Sequence, residues 1–271
     1  MILRNLAKKI YYNWFVSLTR RGVIILYRRM FRIPSRRKLY DKLKKFKNLH
    51  QGERCFIIAT APSLTLDDVN RVKGEVTFSM NSCIRLFEKT NWRPTYYCLL
   101  DRTVYNRLYN DINRNELGEV FINDIINWND ISLNRVPVYD NWAGTSKERR
   151  LLPKRWQKKH FSTDISKKCY YGTSVMHFIM QICFYMGFKE IYLLGADCDF
   201  SGAIKHSKLT QYKDNDNIGN PPDEIYEGLM GDYSLAKEEA NRSGIKIFNA
   251  TRGGKLEIFP RVQLEDLKFL K

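Results

Sequence analysis

The 271-residue sequence contains no run of about 20 apolar residues, the length that a membrane-spanning helix requires. The short apolar core and small-residue cleavage site of a secretory signal peptide are also missing, so no signal peptide is expected. No segment repeats at a fixed spacing, and no low-complexity tract interrupts the chain. These absences favour a folded domain that meets membranes or partners at its surface.

The six cysteines show neither a CxxC pair nor any other spacing typical of a metal site. Most stand inside apolar runs, such as Cys55 before Phe-Ile-Ile and Cys98 before Leu-Leu. We therefore expect free thiols, buried in the core of a protein from a reducing compartment.

Acidic residues are almost missing from the first 50 positions, where 15 Lys and Arg accompany Asp41 alone. The rest of the chain holds 31 basic and 28 acidic residues, so the net charge of +17 belongs mainly to the N-terminal part. This asymmetry predicts a basic arm and linker over residues 1–50 and a nearly neutral domain over residues 51–271.

Apolar residues of the arm recur at helical spacing, at Leu3, Leu6, Ile10, Trp14 and Leu18, with basic residues on the other faces. Such a helix is typical of segments that lie on an anionic membrane. We expect residues 1–33 to hold the protein peripherally at the cytoplasmic face of the cell membrane. Two alternatives remain: a helix packed on the domain with a solvated basic face, and a nucleic-acid contact. The latter is disfavoured, because the aromatic residues are not interleaved with the basic ones.

Beyond the arm, short apolar runs alternate with helical stretches. The predicted strands are Cys55–Ala59, Val76–Met80, Tyr96–Leu100, Val120–Ile122, Val136–Tyr139, Ile191–Leu194 and Lys246–Phe248, and the clearest helices are Thr173–Met186 and Tyr233–Ser243. This order predicts an α/β, Rossmann-like fold with a mainly parallel sheet and helices on both faces. Ligands of such sheets bind beyond the carboxyl ends of the strands.

Small and polar residues at these strand ends and at one helix start are the candidates for ligand binding. They are Thr60, Ala61, Pro62, Ser63, Asn81, Ser82, Asp101, Gly172, Thr173, Ser174 and Asp197. Small residues let a ligand approach the backbone, and the N–H groups of a helix start attract an anion. A plain turn after the first strand and simple capping of the helix would explain many of the same residues.

Two histidines receive different interpretations. His206 lies in a polar loop soon after a predicted strand, where an imidazole can act as a general base, although a surface histidine without a function is an alternative. His177 lies one turn into an apolar helix and is expected to be packed there.

Asp197 and Asp199 match the Asp-x-Asp pattern with which metal-dependent sugar transferases hold a divalent ion. The pattern is short and arises by chance, so we expect no metal here. Residues 214–219 resemble a calcium loop, but Ile218 and Ile225 stand where carboxylates are expected, which excludes that interpretation.

The segments 59–64, 80–82, 172–174, 186–197 and the loop of His206, taken in this order, resemble two related families. One comprises the bacterial sialyltransferases of glycosyltransferase family 42 and similar surface-polysaccharide transferases. The other is named for an archaeal 6-hydroxymethylpterin pyrophosphokinase (MptE-like). The resemblance extends over residues 53–250 and leaves the arm outside.

The first resemblance implies inverting transfer of a sugar from a CMP-sugar donor, without a metal, to an acceptor activated by a histidine. Carried over to this sequence, residues 60–63 and Asn81 would meet the nucleotide, and Asp101 would hold its ribose or base. Residues 173–174 would meet the phosphate or the sugar carboxylate. His206 would deprotonate the acceptor hydroxyl.

We therefore expect a membrane-associated, sialyltransferase-like glycosyltransferase that uses a nucleotide sugar, with a glycan or glycolipid as acceptor and no cofactor. The second resemblance implies the alternative of a pterin pyrophosphokinase that uses ATP and magnesium, with Asp197 and Asp199 as ligands. A non-enzymatic nucleic-acid-binding protein would explain only the charge, and no nucleic-acid partner is expected.

Overall fold

The computed structural model describes residues 41–123, 135–138, 160–170, 172–199 and 223–270. Seven strands in this part form one sheet. They are β1 (Arg54–Ile58), β2 (Thr77–Met80), β3 (Tyr96–Leu99), β4 (Glu119–Asn123), β5 (Arg135–Val138), β6 (Glu190–Leu194) and β7 (Lys246–Asn249). All seven strands are confirmed, with ends that agree with the prediction to within one residue.

The strands lie in the order β5-β4-β3-β2-β1-β6-β7, and every neighbouring pair is parallel. The first strand, β1, lies inside the sheet, and strands β2 to β5 follow one another outward to one edge. The chain then returns, and β6 pairs with the other side of β1. This reversal creates a topological switch point between β1 and β6, where Ile58 pairs with Leu194 at the carboxyl ends. A crevice at such a point is the usual ligand site of a parallel α/β sheet.

The described residues include four α-helices beside the sheet: α1 (Leu66–Arg71), α2 (Arg102–Arg114), α3 (Val175–Met186) and α4 (Asp223–Ser243). The same residues include 3₁₀ helices over Lys42–Phe46, Asn81–Glu88 and Leu264–Asp266. The predicted α3 is confirmed. Helix α4 begins well before the predicted Tyr233, because Gly228 and Gly231 weaken the helical signal of its first half.

Two apolar clusters cover the two faces of the sheet. Helices α3 and α4 pack on one face. Helices α1 and α2 and the 3₁₀ helix Asn81–Glu88 pack on the other. The prediction of a parallel sheet with helices on both faces is therefore confirmed. All six cysteines are free thiols, five of them buried and Cys198 half-buried, as the sequence predicts.

Helix α3 is buried over its whole length, which fits its nearly continuous apolar sequence. The Ser174 hydroxyl accepts a hydrogen bond from the amide of Met176 and caps the first turn. Gly187 ends the helix in the left-handed conformation, at φ 87°. His177 is fully buried in this helix, as expected of a packed side chain.

The last residues of the predicted linker pack on the domain. Leu43 and Phe46 are buried against the sheet, and the Lys42 ammonium donates to the carbonyl of Arg135 at the start of β5. Residues 1–40 lie outside the described residues, so the arm helix and its membrane contact stay predictions. Among the helices that are described, none has the length and apolar character to cross a membrane.

Candidate functional site

The loops after β1 and β6 meet at the switch point through one carboxylate. The side chain of Asp197, in the loop after β6, accepts hydrogen bonds from Ser63 in the loop after β1. The Ser63 amide donates to Oδ2 at 3.1 Å, and the Ser63 hydroxyl donates to Oδ1. Both carboxylate oxygens of Asp197 therefore bind the loop after β1 and hold it beside the loop after β6. Two of the predicted site residues are brought together here.

Backbone hydrogen bonds continue this joint. The amide of Ala59 donates to the carbonyl of Leu194 at 2.8 Å, and the amide of Ala61 donates to the carbonyl of Gly195 at 3.0 Å. Gly195 is left-handed at φ 65°, and a Cβ there would lie 3.2 Å from the carbonyl oxygen of Ala59. The amides of Ala61 and Ser63 thus have protein acceptors. Between them, Thr60 is half-buried and Pro62 is exposed at the edge.

The end of β2 places two predicted residues beside β1. Asn81 adopts a left-handed φ of 46°, and its carbonyl accepts a hydrogen bond from the Tyr97 hydroxyl. The Asn81 Oδ1 and the Ser82 Oγ are buried and make no hydrogen bond within the described part of the chain. Buried polar atoms normally form hydrogen bonds, so we expect a water molecule or a polar group of a ligand to bond to these two atoms.

Asp101, at the end of β3, is the N-cap of α2. Its carboxylate accepts from the amides of Thr103 at 2.6 Å and Val104 at 3.1 Å. The residue is exposed at the same edge of the sheet. Its observed contacts are those of a helix cap, and contact with a ribose or base stays a prediction.

The turn before α3 rests on a buried carboxylate. The amide of Thr173 donates to the Asp232 side chain, which is 2% exposed and belongs to α4. Gly172 has no room for a side chain, because a Cβ there would lie 2.4 Å from the Cβ of His177. The His177 ring approaches Asp232 to 3.9 Å and the carbonyl of His160 to 3.0 Å. Asp232 therefore fixes the turn whose N–H groups are the predicted anion donors.

A second contact connects this turn with the switch point. The Cys198 thiol, next to Asp197, lies 3.9 Å from the hydroxyl of Tyr233, next to Asp232. Burial raises the pKa of Cys198 to about 11, so the thiol stays protonated at neutral pH and is no nucleophile. The segment 172–174 contacts Asp232, and the loop after β6 contacts Tyr233, the next residue of α4. Both segments therefore lie close together at one edge of the sheet.

A loop that the sequence analysis did not single out completes this edge. Residues 251–255 follow β7, and the backbone amide of Lys255 donates to the carbonyl of Asp197 at 2.6 Å. The Thr251 hydroxyl accepts from the amide of Ala196 at 3.0 Å. A Gly-Gly pair directly after a predicted strand is the signal that could have identified this loop.

The two carboxylates of the Asp-x-Asp pattern have protein partners. Asp197 holds Ser63, and Asp199 forms an ion pair with the Lys255 ammonium at 2.9 Å. Within the described ranges, no group of three or more His, Cys, Asp or Glu side chains could hold a metal ion. His206, the predicted base, lies outside the described residues.

Comparison with known proteins gives a structural likeness and a family. A solved structure similar to this chain is the MAf glycosyltransferase from Magnetospirillum magneticum AMB-1, with a TM-score of 0.46 and 17% sequence identity. The match covers 85% of this chain and 39% of that one, so this chain spans about two fifths of that protein. No curated protein matches the sequence. The model of the 6-hydroxymethylpterin diphosphokinase MptE-like family matches residues 27–203, more than half of the chain. The chain belongs to this MptE-like family.

Proposed function

We propose that the protein is a transferase that binds a nucleotide-activated donor at the carboxyl edge of the sheet, and that the group it transfers is a sugar. The observation that carries this proposal is the joint between Ser63 and Asp197 at the switch point. It fixes two loops side by side where parallel α/β sheets bind their nucleotides.

The turn before α3 supports an anionic ligand. Helix α3 runs back along the sheet towards the start of β6, so its first turn lies at the same edge as the ends of β1 and β6. The amides of Thr173 and Met176 are bonded to Asp232 and Ser174. The positive end of the helix dipole and the other N–H groups of a first turn stabilise a phosphate or a carboxylate. Asp232 keeps this turn in place from the protein side, at the amide of Thr173.

The engaged carboxylate of Asp197 supports a sugar transfer that needs no metal. A metal ion at Asp197 would have to displace Ser63, which donates to both oxygens of that carboxylate. A CMP-sugar donor releases CMP, whose single phosphate group carries charge that a helix start and hydroxyl groups can stabilise. We therefore favour a CMP-sugar, with Asn81, Ser82 and Asp101 near the nucleoside and His206 as the base that deprotonates the acceptor.

The acceptor that fits this proposal is a surface glycan or a glycolipid at the cytoplasmic face of the cell membrane. Its support comes from the sequence of residues 1–33, where an apolar stripe is flanked by basic residues. Each Lys or Arg near an anionic surface contributes roughly 1 kcal/mol to binding. Such an arm would keep the enzyme close to membrane-bound acceptors.

A second candidate function is favoured by the family match, whose description names a 6-hydroxymethylpterin diphosphokinase. Transfer of a diphosphate from ATP to a pterin would place magnesium between the donor and the carboxylates of Asp197 and Asp199. This function would require the pairs with Ser63 and Lys255 to open when the nucleotide and the metal bind.

Isothermal titration of the full-length protein with CMP, UDP, GDP and ATP separates the two candidates. Each titration is run with EDTA and again with magnesium. We expect CMP to bind most tightly and equally well in both buffers. If ATP binds only in the presence of magnesium, the proposal of sugar transfer would have to be replaced by that of diphosphate transfer. Failure of all four nucleotides to bind would refute both candidates.

A further inference from the structure

The loop 251–255 presents backbone donors at the candidate site. The Arg261 guanidinium donates to the carbonyls of Thr251, Gly253 and Gly254, at 3.3, 2.6 and 3.0 Å. The amides of residues 252–254 donate to no described residue. Gly253 and Gly254 are both left-handed, at φ 63° and 72°. Because residues 252–255 are exposed, these amides are accessible to an anion that binds at the rim.

The loop is packed directly on the joint between the other loops. A Cβ on Gly254 would lie 2.5 Å from the carbonyl oxygen of Asp197, so only glycine allows this approach. Arg252 extends to the other side, where its guanidinium contacts Asp68 at 2.8 Å and the Thr65 hydroxyl at 3.3 Å. The loops after β1, β6 and β7 therefore form one continuous rim.

Lys255 brings a positive charge to this rim. Its ammonium pairs with Asp199 at 2.9 Å, while the side chains of Lys255 and Asp199 are 56% and 41% exposed. Exposed ion pairs of this kind are weak, because water screens both charges. A phosphate that accepts hydrogen bonds from the ammonium and from nearby backbone amides would be the stronger partner.

We propose that Lys255 and the loop 251–255 bind the phosphate of the nucleotide donor. This assignment rests on the proposed function, and it adds a phosphate-binding element outside the part of the chain that the family model matches. Arg261 acts as a positioning residue, because its guanidinium binds the carbonyls of the loop 251–255 and fixes the backbone whose amides would donate to the phosphate. Lys255 exchanges Asp199 for the phosphate when the donor binds.

The test compares each nucleotide with its nucleoside. Lys255→Gln and wild-type protein are titrated with CMP, UDP, GDP and ATP, and with cytidine, uridine, guanosine and adenosine. We expect the variant to bind the preferred nucleotide about tenfold more weakly, the effect of one charge-assisted hydrogen bond. The affinity for the nucleoside should not change, because a nucleoside has no phosphate for Lys255 to bind.

Lys246→Gln is the matched control, since Lys246 is an exposed lysine at the opposite end of β7 and loses the same charge. Lys246→Gln should bind nucleotides with the affinity of the wild type. Both variants should have the same midpoint of urea unfolding as the wild-type protein. Equal affinities of Lys255→Gln and wild type for the nucleotide would overturn the assignment of Lys255. So would an equal loss for nucleotide and nucleoside. A wild-type protein that binds none of the nucleotides would overturn the proposed function and this assignment together.

Discussion

Asp197 accepts two hydrogen bonds from one residue, Ser63, and thereby joins the loops on both sides of the switch point. The carbonyl of the same aspartate receives the amide of Lys255. Three strand-end loops thus meet at a single residue. Its side chain fixes the loop after β1, and its backbone fixes the loop after β7.

Asp197→Asn should weaken this joint. The asparagine oxygen can still accept from the Ser63 amide, and its NH2 group can donate to the Ser63 hydroxyl, but the bonds lose the charge of the carboxylate. We expect the free energy of unfolding to fall by about 1 kcal/mol, because charge-assisted hydrogen bonds are replaced by neutral ones. Affinity for the preferred nucleotide should fall as well. Urea unfolding and isothermal titration measure the two effects.

Asp266→Asn is the control for this substitution, because Asp266 is an exposed aspartate in the 3₁₀ helix Leu264–Asp266. It should change the free energy of unfolding by less than about 0.5 kcal/mol. Equal unfolding midpoints for Asp197→Asn and Asp266→Asn would contradict the importance of the Ser63 contact.

Gly254→Ala and Gly253→Ala should differ, although both glycines are left-handed. An alanine at position 253 meets nothing within 4 Å, so it bears only the backbone cost of about 1–2 kcal/mol. An alanine at position 254 would also clash with the carbonyl of Asp197. Overpacking of this kind costs typically a further 1–3 kcal/mol.

The measurement is the urea midpoint of each variant at an unchanged dependence on denaturant. Gly254→Ala should unfold at a clearly lower urea concentration than Gly253→Ala. Equal midpoints would show that the loop after β7 moves away from Asp197 at little cost. The contact between the two loops would then not be a fixed part of the site.

The sheet could be predicted from the sequence because its strands are short, continuous apolar runs such as Cys55-Phe-Ile-Ile. Each run is buried on both faces of a parallel sheet, so apolar character alone marks it. The strand ends then placed Ser63 and Asp197 at one edge without knowledge of the strand order. Their direct contact depends on β6 lying beside β1, which the sequence pattern does not reveal.

Residues whose role is to support the site were not predictable in this way. Asp232 is the tenth residue of a long helix, and only the packing of α4 on α3 brings it to Thr173. Arg261 lies beyond the last strand and acts on carbonyls several residues earlier in the chain. Long-range packing creates both roles, and no local spacing encodes them.

His206→Ala tests the proposed base. The variant should lose transfer of the sugar from CMP-sialic acid to a glycolipid extract, because the group proposed to accept the proton of the acceptor hydroxyl is removed. Its affinity for CMP should stay close to that of the wild type. Transfer is measured with a radiolabelled donor, and CMP binding by isothermal titration. A variant with full transfer activity would remove His206 from the mechanism.

Deletion of residues 1–33 tests the membrane arm. The shortened protein retains Leu43 and Phe46, which pack on the sheet, so the domain should fold as before. Full-length protein should sediment with vesicles of anionic phospholipid, and high salt should weaken this binding, because salt screens the attraction between basic residues and the lipid headgroups. The shortened protein should stay in the supernatant.

Neutral phosphatidylcholine vesicles provide the control for the electrostatic part of the interaction, since they lack the surface charge that attracts Lys and Arg. The shortened protein should bind the preferred nucleotide as tightly as the full-length protein, because the candidate site is formed by residues beyond position 59. If the shortened protein sedimented with anionic vesicles as fully as the intact chain, the membrane contact would have to lie on the domain. In that case the basic residues of the arm would serve another partner.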